Sequence, residues 1–152
     1  MQSQRLISRG RRLVFERITK YLPELEKAES YGEWIVDRES KGTMDDPIQM
    51  PYVNYGRTVI GMERAIYAFV ESHPEYELTR YSDILERNGL SWNDRVMSEA
   101  DVSKLDGQAM MALLLGAVRA ERFCDGALLR FFEDGSVKRW LLRLREIDEN
   151  AN

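Results

Sequence analysis

The feature that most constrains the fold is an apolar run of ten residues from Ala109 to Val118. Its apolar residues cover most of a helix circumference, a pattern typical of a helix buried on all sides. A membrane span needs about 20 apolar residues, so this run predicts a core helix instead. We expect the helix to extend from about Leu105 to Phe123, where Asp125 and Gly126 end it.

Amphipathic patterns before and after this run predict further helices that cover it. They fall at residues 3–21, 58–72, 81–88, 127–133 and 136–147, with Ser136 as the N-cap of the last helix. A chain of 152 residues that is 43% hydrophobic can bury such a core without disulfides. We therefore predict a mainly α fold, a compact bundle of about six helices in a single domain over 1–147. The basic N-terminal helix covers 1–28, the body 31–147, and 148–152 form a frayed acidic tail.

Residues 31–57 interrupt the helical pattern with glycine, proline and aromatic residues. Short strands are predicted at 34–36 and 48–53, and Pro47 and Pro51 argue against central strands because proline cannot donate to a sheet ladder. The segment is predicted to be an irregular insertion with a small β-hairpin.

The chain has one cysteine, Cys124, and one histidine, His73. An intramolecular disulfide is impossible, and a four-ligand zinc site is not expected. This composition favours a reducing, cytoplasmic location, and the N-terminus lacks the apolar run of a secretory signal. We expect no cofactor and no membrane association.

Signatures of common enzyme classes are missing, including the nucleophile elbow, the phosphate-binding loop and the HExxH zinc motif. His73 precedes Pro74 at a helix end, where capping of the last carbonyls is favoured over general-base catalysis. Cys124 is interpreted as a small core residue rather than a nucleophile, because Asp125 beside it disfavours the thiolate. No catalytic residue is assigned.

The N-terminal twenty residues carry six basic residues and one acidic residue, a net charge of +5, so the remainder carries −9. Arg5, Arg9, Arg11 and Arg12 are candidates for binding nucleic-acid phosphates. The alternatives are a solvated helix face and packing against an acidic surface of this chain or a second copy.

A second group of charged residues lies at the end of the core helix: Arg119, Glu121, Arg122 and Asp125. On a continuous helix Glu121 and Asp125 share a face. One interpretation is an anion site or a pair of carboxylates for acid–base chemistry. The favoured interpretation is structural, with an Arg–Glu network that ties the helix end to the 31–57 segment.

Trp34, Tyr52 and Tyr55 form an aromatic group in the 31–57 segment. If exposed, these side chains offer a platform of the kind that dominates protein interfaces. If buried, they form a lid over the core. Both interpretations place the charged end of the core helix under the aromatic segment.

Three short motifs, in this order, resemble the bacterial domain-of-unknown-function family 6508. They are Gly32-Glu33-Trp34, Met50-Pro51-Tyr52 with Tyr55, and Glu121-Arg122-Phe123 with Gly126. The resemblance spans about residues 30–147 and implies a small bacterial cytoplasmic protein without an assigned activity. It supplies no catalytic residue.

These observations leave three functional hypotheses, in this order of preference. The first is a non-enzymatic interaction or regulatory module that binds a protein partner. The second is a small-anion or nucleotide-binding protein or enzyme that uses Arg119, Glu121, Arg122 and Asp125. The third is nucleic-acid binding through the basic N-terminal helix. A homodimer through the first or last helix is compatible with their amphipathic patterns.

Overall fold

The computed structural model describes residues 12–151, and these are mainly helical. In chain order the helices are α1 (Glu16–Thr19), α2 (Leu22–Lys27), α3 (Arg57–Ser72), α4 (Tyr81–Arg87), α5 (Asp94–Glu99), α6 (Gly107–Ala120), α7 (Ala127–Glu133) and α8 (Ser136–Asn150). Strands β1 (Gly32–Ile35) and β2 (Tyr52–Tyr55) pair as an antiparallel hairpin between α2 and α3. The 3-10 turns Pro74–Tyr76 and Leu78–Arg80 connect α3 to α4. The prediction of a mainly α fold with a hairpin insertion is confirmed.

Helix α6 is the centre of the core, and every residue from Ala109 to Val118 is buried. It packs against α3, α4, α7 and α8, which explains why apolar residues surround it. Asp106 caps its first turn by accepting a hydrogen bond from the Ala109 amide at 2.9 Å. The helix begins and ends two to three residues inside the predicted limits.

Helix α8 buries the apolar stripe that its sequence predicts, including Val137, Trp140, Leu141 and Leu144. It packs against α6 on one side and contacts α1 and α2 on another. The predicted N-cap, Ser136, is instead the first helical residue and is buried. Gly135 is the N-cap, and the carboxylate of Asp134 before it accepts a hydrogen bond from the Ser136 amide at 2.8 Å.

The prediction of a frayed tail after residue 147 is wrong as far as Asn150, where α8 ends. Asp148 is buried, and its two carboxylate oxygens accept hydrogen bonds from the Val14 and Phe15 amides at 3.0 and 2.9 Å. These bonds hold the last turns of α8 against the chain just before α1. Burial raises the pKa of the Asp148 carboxyl.

The predicted N-terminal helix over 1–28 is not continuous in its described part. Helix α1 ends at Thr19 and α2 begins at Leu22, with Pro23 in the first turn of α2. Proline is tolerated there because the first amides of a helix have no intrahelical partner. Arg5, Arg9 and Arg11 lie outside the described residues.

Among the described residues, no helix is both long enough and apolar enough to span a bilayer.

Candidate functional site

Glu121 follows the last residue of α6, and its carboxylate accepts hydrogen bonds from three groups. The Tyr55 hydroxyl donates to Oε1 at 2.6 Å, and the Leu128 amide donates to the same oxygen at 3.0 Å. The Gly126 amide donates to Oε2 at 3.0 Å. We call this group, with the Leu129 amide described next, the Glu121 junction.

The Glu121 junction caps α7 and ties it to the hairpin. The Leu129 amide donates to the Tyr55 hydroxyl oxygen at 3.0 Å, so Tyr55 both donates and accepts here. The amides at the start of a helix have no acceptors within the helix itself. Glu121 and Tyr55 supply those acceptors at the start of α7, and strand β2 is thereby fixed to the end of α6.

Trp34 adds a packing contact to this junction. Gly126 adopts the left-handed conformation, with φ of +89°, and a Cβ built on it would lie 2.2 Å from Cζ2 of Trp34. Only glycine therefore allows the indole to approach the backbone of the turn this closely. As the sequence predicts, the charged end of the core helix and the aromatic segment lie together.

The hairpin register divides the predicted aromatic platform between two faces. Trp34 pairs with Val53 and Ile35 pairs with Tyr52, and successive side chains in a strand point to opposite faces. Trp34, Val53 and Tyr55 therefore share the inner face, which contacts the body. Tyr52 lies on the other face with Ile35, so the three predicted aromatic residues do not form one surface.

Glu63 on α3 is the second acidic residue close to the Glu121 junction. Burial, followed by the negative charge of Glu121, raises the pKa of the Glu63 carboxyl, while Arg122 opposes this shift. Burial and the hydrogen bond to Glu121 likewise raise the pKa of Tyr55. Tyr55 therefore stays a neutral hydrogen-bond donor at physiological pH.

The four charged residues predicted as one site have separate surroundings. Hydrogen bonding to Tyr81 and Tyr67 raises the pKa of the Arg119 guanidinium. Arg122 and Asp125 are exposed, whereas Glu121 is used in the junction. Helix α6 ends at Ala120, so Glu121 and Asp125 do not share a helical face. The tie to the 31–57 segment is a Glu–Tyr contact rather than the predicted Arg–Glu network.

The segment between the strands, residues 36–51, presents apolar side chains to solvent, and we call it the outer loop. Six of the ten exposed large hydrophobic residues among residues 12–151 lie in this loop or in the two strands beside it. In order they are Trp34, Val36, Met44, Ile48, Met50 and Tyr52. Met44 is fully exposed and Met50 is 79% exposed. Exposed apolar clusters of this kind mark interaction surfaces.

Hydrogen bonds to Asp37 order the outer loop. Its carboxylate accepts the Ser40 amide at 3.0 Å and the Gln49 amide at 2.8 Å, which joins the two ends of the loop. The hydrogen bond from the Ser40 side chain, together with these amides, holds the pKa of Asp37 well below its ordinary value. The exposed apolar side chains are thus held on a defined turn structure.

Sequence reasoning missed a cleft of about 400 Å³ between α5, the 121–126 turn and α7, which we call the Phe123 cleft. Phe123 is 74% exposed at its edge and contacts Trp92 edge to face, with ring centroids 5.5 Å apart. Cys124 lines the cleft and is exposed, so its interpretation as a core residue is wrong. The early end of α6 is the reason, because residues 121–126 leave the core as a turn.

Arg12 is the one predicted nucleic-acid candidate among the described residues. It borders a groove of about 480 Å³ with Arg17, Lys20 and His73, which we call the Lys20 groove. His73 lies at the C-terminal end of α3 and stacks on Phe69, with ring centroids 3.9 Å apart. One ring nitrogen, Nδ1, is 3.2 Å from the Phe69 carbonyl oxygen, in line with the predicted capping role.

No group of three or more histidine, cysteine, aspartate or glutamate side chains is placed to hold a metal ion within residues 12–151.

These features define a class of small, mainly α-helical protein in which a β-hairpin is attached to the turn after the core helix. The chain belongs to DUF6508, a family of unknown function whose model matches residues 12–150. This confirms the resemblance that the sequence motifs predict. Comparisons with curated proteins and with solved structures find no match.

Proposed function

We propose that this chain is a non-enzymatic interaction module that binds a protein partner through the outer loop. The observation that carries the proposal is the concentration of exposed apolar side chains in the outer loop, at Val36, Met44, Ile48 and Met50. Solvation of such side chains is unfavourable, and their burial against a partner contributes about 25 cal/mol per Å². The single cysteine supports a reducing, cytoplasmic setting for this interaction.

The charge of the same segment suggests the chemistry of the partner. Residues 33–46 contain five acidic residues and two basic residues. Glu33, Glu39 and Asp45 are exposed beside the apolar side chains. A partner segment with apolar anchors and flanking lysines or arginines would complement this surface.

The arrangement of the charged cluster supports a binding module over an enzyme. Glu121, on which an anion site would depend, is already hydrogen-bonded to Tyr55 and to the Gly126 and Leu128 amides. Using it for a ligand would require breaking contacts that hold the hairpin and the start of α7. Binding a partner through the exposed side chains of the outer loop would break no such contact.

A capture experiment with matched variants tests the proposal. The triple variant Met44→Ser/Ile48→Ser/Met50→Ser removes the apolar anchors, and Ile60→Ser/Leu142→Ser removes exposed apolar residues outside the loop. We expect wild type and the control to recover the same proteins from a lysate of the source organism, and the triple variant to lose them. A photocrosslinker at position 44 should label the same proteins. Equal recovery by all three chains would refute the outer loop as the binding surface.

The Lys20 groove supports a second candidate function, the binding of nucleic-acid phosphates. Arg17 and Lys20 are exposed around the groove, and Arg12, also in the basic N-terminal segment, borders it. Clustered cations of this kind bind the phosphate backbone without sequence preference.

Fluorescence anisotropy with a labelled single-stranded oligonucleotide tests this candidate. Affinity should fall steeply as salt is raised from about 50 to 200 mM. Arg17→Glu/Lys20→Glu should abolish binding, whereas Arg38→Glu/Lys41→Glu, the same charge change on the outer loop, should leave it nearly intact. Binding that is insensitive to salt, or equal loss in both variants, would exclude the groove.

A further inference from the structure

The Phe123 cleft combines a projecting side chain with a recess on the same surface. Phe123 is 74% exposed at the edge of the cleft, and its contact with Trp92 is edge to face. The cleft floor is apolar and includes Met97, Ala127 and Phe131, of which Met97 and Phe131 are almost fully buried. An aromatic ring that is largely in water therefore stands beside an apolar recess.

The recess is large enough to receive an aromatic side chain. Its volume of about 400 Å³ falls within the range of roughly 300–1,000 Å³ that holds small organic ligands. A buried phenylalanine contributes on the order of 150–250 Å² of contact. A single chain thus offers both an apolar cleft of sufficient volume and an exposed aromatic side chain, Phe123, that could fill it.

The rim of the cleft is charged and self-complementary. Asp94 and Arg130 pair across it at 3.1 Å, with 55% and 68% of their side chains exposed. Arg95 pairs with Glu99 at 3.3 Å, and both of these side chains are also largely exposed. Exposed pairs of this kind contribute little by themselves, so they can exchange partners with an opposing surface at low cost.

We propose that the Phe123 cleft is the contact surface between two copies of this chain, related by a twofold axis near Phe123. In such an isologous interface the same patch is used on both chains. Each Phe123 ring packs into the cleft of the other copy, and Asp94 of one chain faces Arg95 or Arg130 of the other. The proposal does not rest on partner binding by the outer loop, because it uses a different surface.

A second copy fits the rim better than a strongly charged partner does. The rim carries Asp94 and Asp134 together with Arg95 and Arg130, so it has no dominant sign. A highly basic or acidic partner would leave charges of its own sign opposed, whereas a second copy brings both signs to the same surface.

Cys124 provides a direct reporter for this arrangement. It is the only cysteine in the chain, so a disulfide between two chains must join the two Cys124 residues. A disulfide forms only when the Cα atoms approach within about 4.4–6.8 Å, which requires Cys124 to lie close to the axis. A short bismaleimide covers the somewhat longer separations that the same interface would also allow.

Analytical ultracentrifugation combined with crosslinking tests the proposal on the full chain. We expect wild type to dimerise at concentrations on the order of 100 μM, and Phe123→Asp to weaken association more than about tenfold. Phe123→Ala provides a second variant without a new charge, and Ile60→Asp is the matched control at an exposed apolar position outside both the cleft and the outer loop. Thermal unfolding verifies that all four chains are folded.

The yield of crosslinked dimer should vary among these chains in the same way as their association. With copper(II)–phenanthroline as the oxidant, or with a bismaleimide, wild type and Ile60→Asp should give a covalent dimer, and both Phe123 variants should give much less. A wild type that stays monomeric up to about 1 mM overturns the proposal and assigns the cleft to another occupant. A dimer that is unchanged in both Phe123 variants, or that never crosslinks through Cys124, overturns it as well.

Discussion

The inner face of the hairpin and the outer loop both carry large apolar side chains, but they differ in what surrounds them. Trp34 lies against Gly126, and Tyr55 is held by Glu121. Met44 and Met50, by contrast, extend into solvent from a turn that Asp37 orders. The motifs of the family resemblance fall on both sides: Trp34, Tyr55 and Glu121 among them attach the hairpin, whereas Met50 lies in the outer loop. The motif residues thus include both the attachment and one side chain of the binding surface that we propose.

The largest expected effect is on the inner side, at Gly126. Gly126→Ala forces a Cβ into the Trp34 indole and places alanine at φ of +89°. Left-handed backbone costs about 1–2 kcal/mol and overpacking about 1–3 kcal/mol, so we expect destabilisation by about 2–5 kcal/mol in urea unfolding.

Gly135→Ala is the matched control for this substitution. Gly135 has φ of +84°, but a Cβ there would meet nothing within 4 Å. Gly135→Ala should therefore destabilise the fold only by the cost of the left-handed backbone, about 1–2 kcal/mol. Equal losses at the two glycines would mean that the contact between Trp34 and Gly126 contributes nothing.

A smaller loss of stability is expected when the Tyr55 hydroxyl is removed from the Glu121 junction. Tyr55→Phe leaves the Leu129 amide without its acceptor and removes a hydrogen bond to Glu121, which should cost about 1–3 kcal/mol. Tyr52→Phe, on the other face of the hairpin, should change stability by less than about 0.5 kcal/mol. Chemical denaturation of both variants compares the two faces directly, and a larger loss at Tyr52 would reverse their assignment.

The Glu63 carboxylate beside the Glu121 junction should make the unfolding free energy depend on pH, by less than about 1 kcal/mol near neutrality. The raised pKa of Glu63 means that the folded state holds this proton more tightly than the unfolded state does. Stability is therefore lost as pH rises above the ordinary value of 4.5 towards the raised value.

Glu63→Gln removes this loss. The variant should be more stable than wild type at about pH 8 and nearly equal to it at about pH 4, measured as thermal midpoints. If the variant is less stable at the higher pH, the negative charge of Glu63 stabilises the fold instead.

The smallest effect on stability is expected in the outer loop. Met44→Ser and Met50→Ser remove side chains that are already in solvent, so each should change the unfolding free energy by less than about 0.5 kcal/mol. A loss above about 1 kcal/mol would show that the loop packs on the body and is not free for a partner.

The elements that the sequence predicts well are those set by local pattern. The apolar residues around α6 indicate its burial, and Gly126 and Asp134 bracket α7 at its predicted limits, Ala127 and Glu133. The adjacency of the hairpin and the end of α6 was also predicted. The division of Trp34 and Tyr52 between two faces was not, because a change of one residue in strand register inverts every side chain.

The remaining features depend on contacts between residues distant in sequence. Helix α6 ends at Ala120 while Glu121 turns to cap α7, and no local signal distinguishes this from a helix that continues to Phe123. The exposure of Phe123 and Cys124 follows from that early end. From the sequence, Asp148 is predicted to lie in an acidic tail, because its hydrogen-bond partners, the Val14 and Phe15 amides, lie more than 130 residues away in the chain.

The hydrogen bond between Tyr55 and Glu121, 2.6 Å long, attaches the hairpin to the core. A double-mutant cycle with Tyr55→Phe, Glu121→Ala and the combined variant measures this interaction in urea unfolding. We predict a coupling free energy of about 1–2 kcal/mol, within the range found for residues in one hydrogen-bond network. Two substitutions whose effects simply add would contradict the claim.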